Sequence, residues 1–303
     1  MTDIQIVPLS PEERAREATL RERFAAFWAS ATGDIRDTYD AFIGASPMAE
    51  GVTFDAVDEK TVWGWWARPA GEGDGKRAIL YLHGGGYILG SSKAYRCFVS
   101  QIVAGTGVPA LIIDYPLAPE ATLPAAPMAA LAAWRYLVAQ GFERIAIVGD
   151  SAGGGLSLVT LAELTKQGEK PVAGAVFSPW TDLTFSGASM TDPAVVDPLI
   201  GYDYLHDCAA KVLGSVPASA PIASPLLGDL RGLPPLLIQV GTDERLLDDS
   251  RQYAERAALA GVDVRLQVYE GMHHVFQLDV AHLETSRAAL DATAAFLTQA
   301  FAR

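Results

Sequence analysis

The feature that most limits how this chain can fold is a series of six short apolar runs: Ala78 to Leu82, Ala110 to Ile113, Ile145 to Val148, Ala173 to Phe177, Leu236 to Val240 and Val264 to Val268. Each has the length of a strand and most are nearly continuous in hydrophobicity, so neither of their faces suits water. Between most of them lie segments with helical character, such as Met128 to Gln140 and Leu156 to Lys166. Strands apolar on both faces, alternating with helices, predict an α/β fold with a mostly parallel central sheet covered by helices on both sides. In such sheets chemistry gathers beyond the carboxyl ends of the strands. The loops that follow the runs are therefore the places to search.

Ahead of the runs, Ser10-Pro11-Glu12-Glu13 reads as a helix start. Ser10 caps, Pro11 sits where a missing N–H is harmless, and Glu13 is placed to return the capping bond. The helix is expected to reach about Ser30, with Leu20, Phe24, Ala25, Phe27 and Trp28 as its apolar stripe. Val52 to Val57 and Thr61 to Arg68 predict a hairpin around Asp58-Glu59-Lys60, followed by a Gly-rich linker at 71–75. One interval, Thr181 to Gly232, breaks the alternation: it is rich in Pro, Ser and Asp and has helical content around Tyr202 to Leu213. The expected organisation is a helical cap segment over 1–50, an α/β domain over 51–180 and 233–303, and a cap insertion over 181–232.

Composition removes several classes of function. Lys plus Arg is 23 against 36 for Asp plus Glu, a formal charge of −13 over 303 residues. Such an acidic chain repels phosphate backbones and anionic bilayers, so neither nucleic acid nor a membrane surface is an expected partner. Half of the residues are hydrophobic, enough for a large core. No stretch approaches the ~18 uninterrupted apolar residues of a membrane span. The first residues do not read as a secretory signal, and a cytoplasmic location is the expectation. Cys97 and Cys208 are too few for a disulfide framework and lack the spacing of a zinc site, so they read as small hydrophobes. No metal or cofactor is implied.

Two loops carry the chemical signal. Gly149-Asp150-Ser151-Ala152-Gly153-Gly154 follows one apolar run and precedes a helical pattern. G-x-S-x-G in a strand-turn-helix context describes a nucleophile elbow, in which a sharp turn pushes Ser151 outward and the glycines avoid collision with adjoining backbone. His83-Gly84-Gly85-Gly86-Tyr87 follows an earlier run. It has neither the G-x-G-x-x-G of a dinucleotide site nor the Gly-Lys-Ser/Thr of a P-loop. What fits is a loop whose backbone N–H groups bind an oxyanion, together with the N–H of the residue after the nucleophile, Ala152.

A base and an orienting acid should follow in later loops. His83 belongs to the Gly-rich loop and reads as structural, while His206 and His282 lie in helical, surface-like contexts. That leaves His273 and His274, both in the loop after the last run. For the acid, Leu236 to Val240 runs into Gly241-Thr242-Asp243-Glu244, and the strand end favours Asp243 over Asp248 and Asp249, which suit the start of the next helix. The chain order is then Ser, Asp, His.

Taken together, these segments resemble the bacterial hormone-sensitive-lipase family of esterases, from about residue 10 onward. The match rests on His83-Gly84-Gly85-Gly86, Asp114-Tyr115-Pro116-Leu117-Ala118-Pro119-Glu120, Gly149 to Gly154, Asp243 with Leu246 and Asp248, and Gly271 to Phe276, in that order. The resemblance implies an α/β-hydrolase fold with a small helical cap, built from the N-terminal helices and the insertion after Trp180. It selects His274, which precedes a short hydrophobic pair after Gly-Met-x, and puts His273 in a variable position. It implies an oxyanion hole from the N–H groups of Gly85, Gly86 and Ala152, with Gly84 and His83 supporting the loop. Pro116 stands where the family often has Arg, so a contact made by that Arg is missing here. Trp28, Tyr87, Trp180, Tyr202 and Phe276 are the candidates for the acyl and alcohol pockets.

The implied reaction is hydrolysis of short- to medium-chain carboxylic esters by Ser151, with His274 as base and Asp243 orienting it. A lactonase or amidase would use the same groups. A silent ligand-binding protein on this scaffold would lack the histidine, and a transacylase would need an acceptor site of which the sequence gives no sign. Related enzymes often dimerise through the sheet edge near the last strand, so the resemblance allows a homodimer and leaves the oligomeric state open.

Overall fold

The computed structural model describes residues 3–71 and 75–303, so the middle of the predicted Gly-rich linker lies outside the described residues. Nine strands form one sheet: β1 (Asp3–Val7), β2 (Val52–Asp58), β3 (Trp63–Pro69), β4 (Arg77–Leu82), β5 (Ala110–Ile113), β6 (Arg144–Asp150), β7 (Ala173–Phe177), β8 (Leu236–Gly241) and β9 (Val264–Tyr269). The order across the sheet is β1-β9-β8-β7-β6-β4-β5-β3-β2. Among the described residues, only the pairings of β3 with β2 and with β5 are antiparallel. Every residue of β5, β7 and β8 is buried, as the unbroken apolar runs require.

Helices cover both faces. α3 (Ser92–Thr106) and α8 (Glu284–Ala302) pack together on one side, while α4 (Ala125–Ala139) and α5 (Ser151–Lys166) pack on the other with α7 (Leu247–Leu259). This is the α/β-hydrolase arrangement. β4 sits between β5 and β6, so the chain winds outward in opposite directions from that point. A crevice opens at such a reversal, beyond the carboxyl ends of the strands. The Gly-rich loop leaves β4 and the elbow leaves β6, and the fold therefore brings the two together.

The N-terminal region differs from a purely helical segment. β1 pairs in parallel with β9, and Ile4 and Ile6 stay more than half exposed at this edge. The outer edge of the last strand is thus covered by the chain's own first strand. α1 (Pro11–Ser30) begins as its sequence predicts, with Ser10 Oγ accepting from the Glu13 N–H. The Glu13 carboxylate does not return that bond; it accepts from Arg16 and from the Thr285 N–H, tying α1 to the start of α8. α2 (Ile35–Ile43) is capped by Asp34. In the 181–232 interval, α6 (Tyr202–Leu213) is the one α-helix, and it coincides with the predicted helical stretch.

Candidate active site

Ser151 is the first residue of α5 and has φ +52°. A non-glycine side chain adopts this left-handed conformation rarely and at some strain, held in place by its surroundings. Here the surroundings leave no slack. A Cβ on Gly153 would sit 2.1 Å from the Leu82 carbonyl oxygen, so the helix start can press against the end of β4 only with glycine there. The result is a serine held at the mouth of a helix N-terminus, whose free N–H groups favour developing negative charge.

Asp150, the preceding residue, fastens the Gly-rich loop to the elbow. Its Oδ1 accepts from Tyr81 Oη at 2.6 Å and from the Gly84 N–H at 3.0 Å, and its Oδ2 accepts from Tyr95 Oη at 3.0 Å. Burial outweighs these donors and pushes its pKa up to about 6. His83 stacks on Tyr115 at 4.3 Å and its Nδ1 lies 2.7 Å from the Gly84 carbonyl oxygen. Gly85 has φ +108°, and a Cβ there would lie 2.2 Å from the Leu89 carbonyl oxygen. Gly85 and Gly86 line the same cavity as Ser151 and His274.

His274 Nε2 is 2.9 Å from Ser151 Oγ. Its Nδ1 is 2.8 Å from Glu244 Oε2, and Glu244 is completely buried. This corrects the expectation for the acid: the carboxylate behind the imidazole is Glu244. Asp243 points the other way, where its Oδ2 accepts from Arg21 Nη2 at 2.8 Å and its side chain is 39% exposed. The cause lies in how the loop leaves β8. The Asp243 N–H donates to the Met272 carbonyl, and Gly241 packs so closely on Met272 that a Cβ would lie 2.0 Å from that oxygen. The turn thereby faces residue 244 inward and residue 243 outward.

Glu244 is itself held in place. Its Oε1 accepts from the Gly241 N–H at 2.6 Å and from Ser178 Oγ at 2.8 Å. Ser178 Oγ also accepts from the Val275 N–H at 3.1 Å, so one hydroxyl aligns both the acid and the loop carrying the histidine. Ser178 and Val275 share the left-handed backbone of Ser151, with φ of +46° and +51°. Sequence reasoning missed Glu244 and Ser178. Burial disfavours the His274 imidazolium, but the hydrogen bond and charge of Glu244 outweigh it, and the pKa is raised above 6.5.

The cavity over Ser151 and His274 has a volume of about 390 Å³. Its walls come from α1 (Ala25, Trp28), α2 (Ile35, Tyr39, Phe42, Ile43), the segment 198–200, α6 (Tyr204, Leu205) and the loop after β9. Of the aromatic pocket candidates only Trp28 is there. Tyr87, Trp180 and Phe276 are buried in the core: Tyr87 packs between Tyr115 and Trp180, and Phe276 packs against Tyr269. Tyr202 is 38% exposed on α6 and stacks on His206, away from the cavity.

The second histidine of the loop occupies a different network. His273 is buried between Glu17 of α1, whose Oε1 is 3.1 Å from its Nδ1, and Asp279, whose Oδ2 is 3.0 Å from its Nε2. Burial opposes its charge, but these two carboxylates prevail and its pKa is pushed up to about 9. Arg21 continues the network by binding both oxygens of Glu17, then Asp243 and the Val196 carbonyl. Among the described residues no group of three or more His, Cys, Asp or Glu side chains is placed to hold a metal, and no helix is long and apolar enough to cross a membrane.

The match to known proteins agrees with this architecture. Residues 79–278 match the family model described as an alpha/beta hydrolase fold. An acetyl-hydrolase of Streptomyces hygroscopicus is 40% identical over 238 residues, 78% of this chain and 79% of that protein. An esterase of Acinetobacter venetianus is 36% identical over 224 residues, 73% of this chain and 74% of that one. The crystal structure of an esterase from the bacterial hormone-sensitive lipase family superposes with a TM-score of 0.87 at 38% identity, covering 96% of this chain and 98% of the other. The fold and the relatives define a carboxylic ester hydrolase of the α/β-hydrolase class. Within that class, the chain belongs to the hormone-sensitive-lipase family of bacterial esterases.

Proposed function

We propose that this esterase hydrolyses short- to medium-chain acyl esters through an acyl-enzyme on Ser151, with His274 as general base and Glu244 as the acid that orients it. The observation that carries the reading is the unbroken path from Ser151 Oγ through both ring nitrogens of His274 to Glu244. An ionised carboxylate only accepts hydrogen bonds, so Glu244 keeps the imidazole proton on Nδ1 and leaves the Nε2 lone pair for the serine hydroxyl. Ser151 attacks the ester carbonyl while Nε2 takes its proton. The imidazolium then protonates the leaving alcohol, and water enters by the reverse path to release the acid. The Gly85, Gly86 and Ala152 N–H groups are assigned to the oxyanion, a role worth about 2.7–4 kcal/mol per donor in serine hydrolases. Segments 11–43 and 181–232 act as the cap over the cavity.

The apolar walls and the limited volume of the cavity support short and medium acyl chains, as does the likeness to an acetyl-hydrolase. The test is hydrolysis of p-nitrophenyl esters from acetate to palmitate by the wild type and by Ser151→Ala. Rapid turnover of the short esters, lowered about 10⁶-fold in the variant, is the expected result. Silence of the folded wild type toward every ester, with turnover of lactones or amides, would replace the ester by one of those bonds.

A further inference from the structure

A second cavity, of about 230 Å³, lies beside the catalytic one. The two share five wall residues, all apolar: Phe42, Ile43, Leu199, Val275 and Leu278. The aromatic cluster around Phe42 shows how they are divided. The Phe42 ring centroid is 5.4 Å from that of Trp28, which lines the catalytic cavity. It is 5.4 and 5.3 Å from those of Phe24 and Phe27, which line the second. Phe42 thus stands between the chambers, with one ring contact on the catalytic side and two on the other, itself only partly buried.

We propose that the second chamber is a subsite for the alkyl tail of a longer ester, closed off from Ser151 by a partition of which Phe42 is the removable part. The inference rests on the esterase reading of Ser151 and deepens it by naming what sets chain length. Its occupant follows from continuity. A hydrocarbon that fills the first chamber meets a wall of apolar side chains, and behind that wall lies space lined mostly by apolar residues, with Arg23, Ser46, Asp279 and His282 as its polar members. With Phe42 in place, further methylenes stop at the ring and stay in water. With the ring removed, each methylene that reaches the second chamber adds up to about fourfold to kcat/KM, the worth of burying one CH₂. The partition joins α2, the segment around Leu199 and the loop carrying His274. It therefore lies where a side chain tunes the substrate without touching the serine-histidine-glutamate path.

The experiment compares kcat/KM across two ester series, p-nitrophenyl esters of lengthening acyl chain and acetates of lengthening alcohol, for the wild type, Phe42→Ala and Leu278→Ala. Thermal melting verifies that each variant is folded. The expected result is a decanoate-to-butyrate ratio, or its alkyl-acetate counterpart, at least tenfold higher in Phe42→Ala than in the wild type. The series that shifts tells which end of the ester enters. Ala45 lines only the second chamber. Ala45→Trp in the Phe42→Ala background should therefore refill it and bring the ratio back. An unchanged ratio in folded Phe42→Ala, or a wild-type profile already flat to decanoate, overturns the partition. If Phe42→Ala does not fold, the ratio in Leu278→Ala decides in the same way. Ester hydrolysis surviving in Ser151→Ala would instead overturn the site itself, a result independent of any chain-length ratio.

Discussion

His274 and His273 are neighbours in one loop, as Glu244 and Asp243 are in another, yet the members of each pair face opposite sides of their loop. His274 and Glu244 face inward to Ser151 and are buried among backbone donors, Ser178 and the strand ends. His273 and Asp243 face the N-terminal helix and meet its Glu17 and Arg21. A one-residue change of direction separates a proton path from a clamp. In the proposed mechanism the inner pair needs a tunable proton, and the one carboxylate hydrogen-bonded to His274, with the more distant charges of Asp197 and Asp150, raises its pKa against burial. The outer pair needs permanent charge, and two carboxylates hold His273 protonated up to about pH 9. The chemistry of an imidazole here is decided by how many carboxylates it meets.

The comparison can be broken most forcefully at the histidines. His274→Ala should lower kcat about 10⁶-fold, whereas His273→Gln, with the inner path intact, should stay within about tenfold of the wild type. The loss at 273 should appear in stability instead. Removing its charge leaves Glu17 and Asp279 facing one another across a neutral side chain, which should cost about 3 kcal/mol on thermal or denaturant unfolding. Equal loss of activity in the two variants would erase the distinction.

The clamp also has a pH signature. The folded-state pKa of His273 lies above its ordinary value of 6.5, so the folded protein holds this proton more tightly than the unfolded chain does. Its contribution, on the order of 3 kcal/mol, is present in full below about pH 6.5 and is lost as pH rises through about 9. Melting temperatures of the wild type and His273→Gln should therefore converge between those limits. Parallel curves would contradict the assignment.

A smaller effect sharpens the boundary of the cavity. Trp28→Ala opens a wall and should raise KM for butyrate several-fold, while Tyr202→Ala, on the far side of α6, should stay within about twofold. Steady-state kinetics on p-nitrophenyl butyrate separates the two.

Much of this was legible before any coordinates. The apolar runs marked six of the nine described strands because most of them are buried on both faces, although β9 alternates with the partly buried Arg265 and Gln267. The elbow and the Gly-rich loop were legible because a left-handed turn and a close backbone approach demand glycine at fixed offsets. β1 was missed, although Ile4-Gln5-Ile6 alternates as an edge strand should. Its pairing with β9 joins residues at opposite ends of the chain, which local pattern does not report. Of the pocket aromatics, Trp28 lines the cavity and the other four do not, because composition says that a ring tends to be buried, not on which side of a wall. Position in the strand-end loop favours Asp243 over Asp248 and Asp249 and does not bring Glu244 forward. The choice is made by the Met272 carbonyl and by Arg21, both distant in sequence.

The most direct test of this account is therefore the pair Glu244→Gln and Asp243→Asn, assayed side by side for kcat on p-nitrophenyl butyrate. Loss of the orienting carboxylate should lower kcat about 10⁴-fold in Glu244→Gln, with Asp243→Asn remaining within about tenfold of the wild type. The reverse order, with Asp243→Asn crippled and Glu244→Gln active, would place the acid on the outer side of the loop and contradict the account.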